Sequence, residues 1–294
     1  MVILNIGLFS EILKINLIQK DQIIFLNVGQ GDSILLTSER AIGLIDLGPG
    51  NVVVERLNQY VPKSTTNIEF VILTHFDKDH IEGFLRLSKL YFIKNLFISY
   101  SKKENSLISE IKNTILEKNI KTYYIDSIND FKFGNFNINI LWPLNLNSVK
   151  NYDSNDYSIA TEIYLDKCNL YSAGDLSSSF ETLSLENSTD KDYEVLKLGH
   201  HGSNTSTDKD LIKNVSTDVA IISSGENNKY GHPHIEVLNI LKSNNISTFE
   251  TKNGDIKLSF NERNKIIFEQ DNKLSRLNCF WFAKALNKRY NFVL

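Results

Sequence analysis

The chain has 294 residues, of which 41% are hydrophobic and 23% charged, so it holds ample apolar matter for a large core and lacks the polar bias of a disordered chain. A formal charge of −3 argues against a broad basic surface for gripping duplex nucleic acid. Only two cysteines occur, which argues against a disulfide framework, and Cys168 and Cys279 read as buried thiols.

Residues 2–18 are apolar but interrupted by Asn5, Glu11, Lys14 and Asn16, and read as a strand or packed helix in an N-terminal extension, 1–21. The main domain is expected over 22–270. Apolar and alternating runs predict strands near 22–28, 33–38, 41–46, 69–73 and 95–99, and helical spacing predicts helices near 51–60, 80–90 and 105–118. The second part repeats that style, with strands near 136–142, 159–166, 169–173, 193–198, 218–223 and 246–250 and helices near 177–186, 207–214 and 234–243. Two sheets with helices outside each is the layered arrangement such a pattern favours. The Asn-, Ser- and Asp-rich stretch 143–157 reads as a long surface loop. In the tail, 271–294, Phe280, Trp281, Phe282, Leu286, Tyr290 and Phe292 alternate with basic residues at helical spacing. A packed closing helix is expected there, with contact to single-stranded bases as the other reading.

Chemistry concentrates where strands end. His75-Phe76-Asp77-Lys78-Asp79-His80 sets four potential metal ligands directly after the apolar run 70–73. In an extended turn alternate residues share a side, so His75 and Asp77 can serve one ion while Asp79 and His80 turn toward another. Imidazole and carboxylate without thiolate suit an open site for Zn²⁺, Mn²⁺ or Fe²⁺. The strand 169–173 delivers Asp175, whose carboxylate could bridge two ions, although Gly174-Asp175 alone would equally be a turn and helix cap. The strand 193–198 ends at Gly199-His200-His201-Gly202-Ser203, where two imidazoles can divide ligand and acid or substrate duties. Gly231-His232-Pro233-His234 adds His232 as a candidate catalytic group or cap neighbour, and His234 as an orienting residue.

Taken in order, four segments make the chain similar to the metallo-β-lactamase fold superfamily, and within it to the soluble hydrolase domain of ComEC-type DNA-uptake proteins. They are Phe25-Leu26-Asn27-Val28-Gly29-Gln30-Gly31-Asp32-Ser33 with Asp46, His75 to His80, Asn155-Asp156-Tyr157-Ser158 ahead of Gly174-Asp175, and His200-His201-Gly202-Ser203 with Tyr230-Gly231-His232-Pro233. The likeness covers roughly 22–260. It implies an α/β (α+β) four-layer αββα sandwich with two divalent ions, zinc or manganese, along one edge.

By that resemblance His75 and Asp77 hold one ion, Asp79, His80 and one of His200 or His201 hold the other, and Asp175 bridges them. A water acidified by both cations would be the attacking group. Asp79, His200 and His232 are the expected catalytic residues. Asp32, Asn155, Ser158, Ser203 and His234 are expected to support the site or meet substrate, and Asp46 to order the first ligand loop. Two departures stand out: Asp77 takes a position where the superfamily usually has histidine, and no histidine lies between His80 and His200. Asn155 falls near the place of that missing ligand.

The implied activity is a metal-dependent phosphodiesterase, foremost a DNA nuclease acting on single-stranded DNA, with a membrane channel as a possible partner. The alternatives are a phosphorylcholine-esterase-like hydrolase of small phosphoesters and a non-catalytic interaction domain with a weakened metal site. No leader of basic, apolar and small residues is seen, nor an apolar run of about 18 residues, so a cytoplasmic or membrane-protein-associated chain is expected.

Overall fold

The computed structural model describes residues 2–145, 153–165, 168–188, 192–260, 265–270, 273–278 and 292–293. Helix α1 (Val2–Ile18) leads into strands β1 (Gln22–Phe25), β2 (Ile34–Ser38) and β3 (Ala41–Ile45). Helices then alternate with strands: α2 (Val52–Tyr60), β4 (Asn67–Leu73), α3 (Lys78–Ile81) with α4 (Gly83–Leu90), β5 (Phe92–Ile98), α5 (Ser106–Glu117) and β6 (Lys121–Tyr124). The antiparallel strands β7 (Phe131–Phe133), β8 (Phe136–Trp142), β9 (Ala160–Leu165) and β10 (Cys168–Ser172) begin the second half. There α6 (Ser178–Ser184), β11 (Val195–Lys197), α7 (Lys209–Asn214), β12 (Val219–Ile222), α8 (Ile235–Ser243) and β13 (Ser247–Glu250) alternate, followed by β14 (Ile256–Phe260), β15 (Lys265–Gln270), β16 (Lys273–Asn278) and β17 (Phe292–Val293).

Among the described residues, one sheet has nine strands in the order β16-β15-β14-β1-β2-β3-β4-β5-β6, and the other has eight in the order β13-β12-β11-β10-β9-β8-β7-β17. Strands β3 to β6 run parallel, as do β10 to β13. Parallel neighbours need crossovers, and the helices supply them.

Strands apolar at both odd and even positions can be buried on both faces, and that property stacks the layers. In β4, Phe70 and Ile72 enter the cluster between the sheets, while Val71 and Leu73 enter the cluster beneath the first set of helices. In β12, Val219 and Ile221 face the other sheet while Ala220 and Ile222 face the second helical layer. Phe70 ties the two sheets together, edge-on to Phe131 at 5.2 Å and to Phe133 at 5.1 Å. Such pairs contribute about 0.5–1.5 kcal/mol each beyond their buried area. Gly43 makes room for that ring, since a Cβ there would sit 2.0 Å from it. The result is the expected four-layer αββα sandwich, with the carboxyl ends of both parallel halves opening on one edge, where open α/β sheets bind ligands.

Several expectations change. Lys273–Asn278 is a strand hydrogen-bonded to β15 with Gln270 opposite Lys273, so the sheet runs past 270 and the tail does not begin as a helix. The helical spacing of the aromatic residues falls later, at 280–291, outside the described residues. The stretch 80–90 divides at Glu82 into α3 and α4. Cys168 is disulfide-bonded, where a free thiol was expected. Helix α1 turns its polar side inward: Glu11 pairs with Lys14 at 3.1 Å and accepts from the Lys63 N–H at 2.7 Å, while Leu8, Phe9, Ile12 and Leu13 are exposed. Among the described residues no helix is long and apolar enough to cross a membrane.

Candidate metal centre

Asp175 follows β10 and turns one carboxylate oxygen into a ring of imidazoles. Its Oδ2 lies 3.4 Å from His80 Nε2, 3.6 Å from His201 Nε2, 3.7 Å from His75 Nε2 and 3.8 Å from His200 Nε2. Asp79 Oδ2 lies 3.4 Å from His201 Nε2. The Nε2 atoms of His75, His80 and His201 and the Oδ1 of Asp175 are buried yet make no hydrogen bond. Orphaned buried polar atoms are costly, and three imidazole nitrogens converging on one carboxylate fit a cation better than any protein partner. The spacing agrees: ligands about 2.0–2.2 Å from a tetrahedral ion sit roughly 3.3–3.6 Å apart. Asp32, His80, Asp175 and His201 each also offer a ligand atom within 4.8 Å of the others.

The opposite nitrogen of each ring is tied down, which selects the tautomer. His201 Nδ1 lies 2.9 Å from the Ser223 carbonyl oxygen, which can only accept, so the neutral ring carries its proton on Nδ1 and leaves Nε2 as the nitrogen that can take an ion. His80 Nδ1 donates to Asp46 Oδ2 at 2.8 Å. The Thr74 hydroxyl donates to the same carboxylate at 2.7 Å and therefore accepts from His75 Nδ1 at 3.1 Å. Asp46 Oδ1 also accepts from the Thr74 N–H at 2.8 Å, so this one carboxylate fixes two histidines and the end of β4. Behind His201, Asp32 Oδ1 lies 3.3 Å from Nδ1, and Asp32 is ion-paired to Lys197. Gly31 brings the Asp32 turn in: a Cβ there would meet the Asp79 carbonyl oxygen at 2.2 Å, and its φ of +138° suits glycine.

The His200-His201 turn shows how adjacent residues reach one centre. Both have left-handed backbone, with φ of 46° and 57°, and Gly202 follows at 81°. For residues with a Cβ this costs of order 1–3 kcal/mol each, a strain that concentrates at functional sites. It splays the two rings so that both present Nε2 to Asp175.

Charge is balanced within the cluster. Burial alone would raise the Asp175 carboxyl, but His80 and His201 hold it well below the usual carboxylate range. Asp32 is held below that range in the same way, against burial, by Lys197 and then His201. Burial opposes a proton on His80 and His201, yet Asp175 with Asp46 raises the first well above normal, and Asp175 with Asp32 lifts the second to about 9. His75 is lowered by burial and by His80, and His200 by burial and by the neighbouring imidazoles of His201 and His80.

All six histidines of the chain join in one series of ring contacts. Centroids are 4.1 Å apart for His75 and His80, 5.3 Å for His80 and His201, 5.9 Å for His200 and His201, and 5.3 Å for His200 and His232, with His234 4.8 Å beyond His232. His232 is half-buried, and burial with repulsion from His201 and His200 lowers it to about 4. His234 stands at the outer end, where Nδ1 accepts from the Asn204 N–H at 2.9 Å.

The other expected residues take distinct places. Asp77 Oδ1 accepts from Lys103 Nζ and Ser154 Oγ, each at 2.8 Å, so that oxygen is engaged away from the hub. Asn155 Nδ2 is 3.5 Å from His200 Nδ1. Ser158 Oγ accepts from the Asp175 N–H at 3.0 Å and so positions the hub residue, while Ser203 bonds Thr205 and only steadies its own loop. Two residues were missed. Lys197 lies fully buried against Asp32, and Glu181, raised to about 8 by burial, accepts from the Thr207 N–H at 2.6 Å and braces the loop behind His200. The trace of Lys197 in the sequence is a charge set between Leu196 and Leu198 in an apolar run.

No family model matches the chain. ComE operon protein 3 of Bacillus subtilis is 28% identical over 262 residues, 81% of this chain and 33% of that protein. Recombination protein 2 of Haemophilus influenzae is 27% identical over 270 residues, 90% of this chain and 32% of that protein. The metallo-β-lactamase fold protein YhfI from Bacillus subtilis, a solved structure, aligns with a TM-score of 0.53 at 13% identity, covering 78% of this chain and 95% of that one. The chain has the metallo-β-lactamase fold, and its sequence is similar to ComEC-type proteins. It spans about a third of the length of the curated relatives it matches. Within the metallo-β-lactamase fold, its departures cluster on one side of the hub, where Asp77 and Asn155 stand beside His75 and His200.

Proposed function

We propose that this chain is a metal-dependent phosphodiesterase that cleaves single-stranded DNA, working in DNA uptake beside a membrane channel. The observation that supports it most is the fan of bare imidazole nitrogens around Asp175 Oδ2, a donor set built for divalent cations. In this reading Asp79, His80, His201 and Asp175 hold one zinc or manganese ion, and His75, His200 and Asp175, with Asp77 and Asn155 alongside, hold a second. When bound, such ions acidify a water and neutralise charge on a phosphodiester. A chain of net charge −3 then meets phosphate through its metals without a basic surface.

The protein's own groups do the rest. Asp46 and the Ser223 carbonyl hold the protons of His80 and His201 on Nδ1, keeping each Nε2 turned inward. Asp79 takes a proton from the attacking water at the carboxylate oxygen that does not hold the ion. His232, neutral at pH 7 and facing the rim, donates a ring N–H to a phosphoryl oxygen. The names of the relatives, which refer to competence and recombination, favour DNA over a small phosphoester as the substrate.

The test is hydrolysis of labelled single-stranded DNA by metal-stripped protein resupplied with Mn²⁺ or Zn²⁺, beside an Asp79→Ala/His80→Ala variant. Cleavage that requires both the metal and the two side chains is expected. A folded, metal-loaded protein that leaves DNA intact refutes the nuclease reading, and turnover of phosphorylcholine esters by that protein would move the activity to small phosphoesters.

A further inference from the structure

The loop between β12 and α8 presents an aromatic side chain to solvent on a rigidly held backbone. Tyr230 is 54% exposed, although the backbone around it is bonded from several directions. Asn228 Oδ1 accepts from the Tyr230 N–H at 3.2 Å and the His232 N–H at 2.9 Å, while its Nδ2 donates to the carbonyls of Gly225 and His232 at 3.0 and 2.6 Å. His234 Nε2 donates to the Tyr230 carbonyl at 3.3 Å. The Tyr230 ring stacks on His232 at 5.7 Å with 21° between planes, and His232 is 6.0 Å from His201 and 32° from its plane. A tilted and then a stacked ring contact thus lead from the metal centre to the surface. Lys229 holds its ammonium 5.0 Å from the centre of the Tyr230 ring.

From this arrangement we infer that Tyr230, backed by His232 and flanked by Lys229, is a stacking platform for a nucleobase next to the phosphate held at the metal centre. The inference rests on the phosphodiesterase reading and adds the recognition of the base. A fixed, exposed aromatic ring meets the π-face of any base, so the platform selects for nucleic acid without selecting sequence. The Lys229 ammonium, which among the described residues is held by the ring alone, can move to the adjoining phosphate as a base takes its place. Bases in a duplex already stack on each other, so the platform favours an unpaired strand.

The experiment compares metal-loaded wild type, Tyr230→Ala and Tyr230→Phe on a single-stranded oligodeoxynucleotide and on one of equal length with abasic tetrahydrofuran residues around the cut. Tyr230→Ala should raise KM for the base-bearing strand about tenfold with kcat little changed, and the wild type should show the same rise when the bases are removed. The two losses should not add, and Tyr230→Phe should match the wild type. Equal KM for wild type and Tyr230→Ala on the base-bearing strand overturns the platform, as does an equal loss by Tyr230→Ala on both strands. If the wild type cuts neither oligonucleotide, the hydrolytic reading fails, and fluorescence anisotropy of the same strands still decides the platform. Base-bearing DNA binding about tenfold tighter than abasic DNA, with the difference lost in Tyr230→Ala, would support it; equal binding would overturn it.

Discussion

Lys197 and Asp32 form an ion pair whose side chains are 0% and 4% exposed, joining the end of β11 to the turn after β1 directly behind His201. A buried pair adds little stability over an apolar pair of similar size, but removing one member strands the other in a medium that solvates it poorly. Lys197→Met should therefore cost about 3–5 kcal/mol of unfolding free energy, and the double variant Lys197→Met/Asp32→Asn should recover much of that loss. Denaturant titration of the three proteins decides it. A single variant as stable as the wild type would mean that water already reaches Asp32.

That pair also marks how far the sequence could be read. The apolar run before His75, the four ligands within six residues and the two later His pairs point to one centre because each lies at the end of an obvious strand, and all six histidines do meet. Lys197 is opaque for the opposite reason. Its partner is 165 residues away, and a lysine inside Val195-Leu196-Lys197-Leu198 looks like the solvent face of an edge strand until β10 and β12 are known to flank it. The strands β6 and β7 are hard to read because short runs such as Lys121–Tyr124 carry too few apolar residues to show a period, whereas β14 does alternate Ile256, Leu258 and Phe260 and was legible. Asp77 is a subtler case, since the spacing that pairs it with His75 does not reveal Lys103 and Ser154 waiting for its carboxylate.

Asp46 and Asp175 both touch His80, but from opposite sides, and their variants should separate accordingly. Asp46→Ala leaves the hub oxygen in place and frees the rings of His80 and His75, so divalent metal should bind about 10–100-fold more weakly. Asp175→Asn removes the charge on which four imidazoles converge. In the wild type, metal at 100 times its dissociation constant should stabilise the fold by about 2.7 kcal/mol, and Asp175→Asn should show almost none of this gain. Competition with a chromophoric chelator gives the affinities, and thermal melts with and without metal give the stabilisation. Unchanged affinity in Asp46→Ala would show that its hydrogen bonds do not set ring orientation.

Protons and metal compete for the same nitrogens, and the direction of that competition follows from the charge balance. His201 is raised from 6.5 to about 9 in the folded chain by Asp175 and Asp32, against burial, and His80 is raised well above 6.5 by Asp175 and Asp46. Groups raised on folding stabilise most below their unfolded value, and that stability is lost as pH climbs through the folded value. The metal-free protein should therefore lose stability steadily between pH 6.5 and 9. His75, His200 and His232 are depressed, so their titration lies at and below 6.5 and leaves this window clear. Metal must displace the protons on His80 and His201, so its apparent affinity should rise over the same window while protons are released, which calorimetry in two buffers of different ionisation heat would count. Asp32→Asn should lower the folded value of His201 and flatten both trends together. A metal-free stability profile that is level from pH 6.5 to 9 would show that Asp175 and Asp32 do not hold protons on these imidazoles.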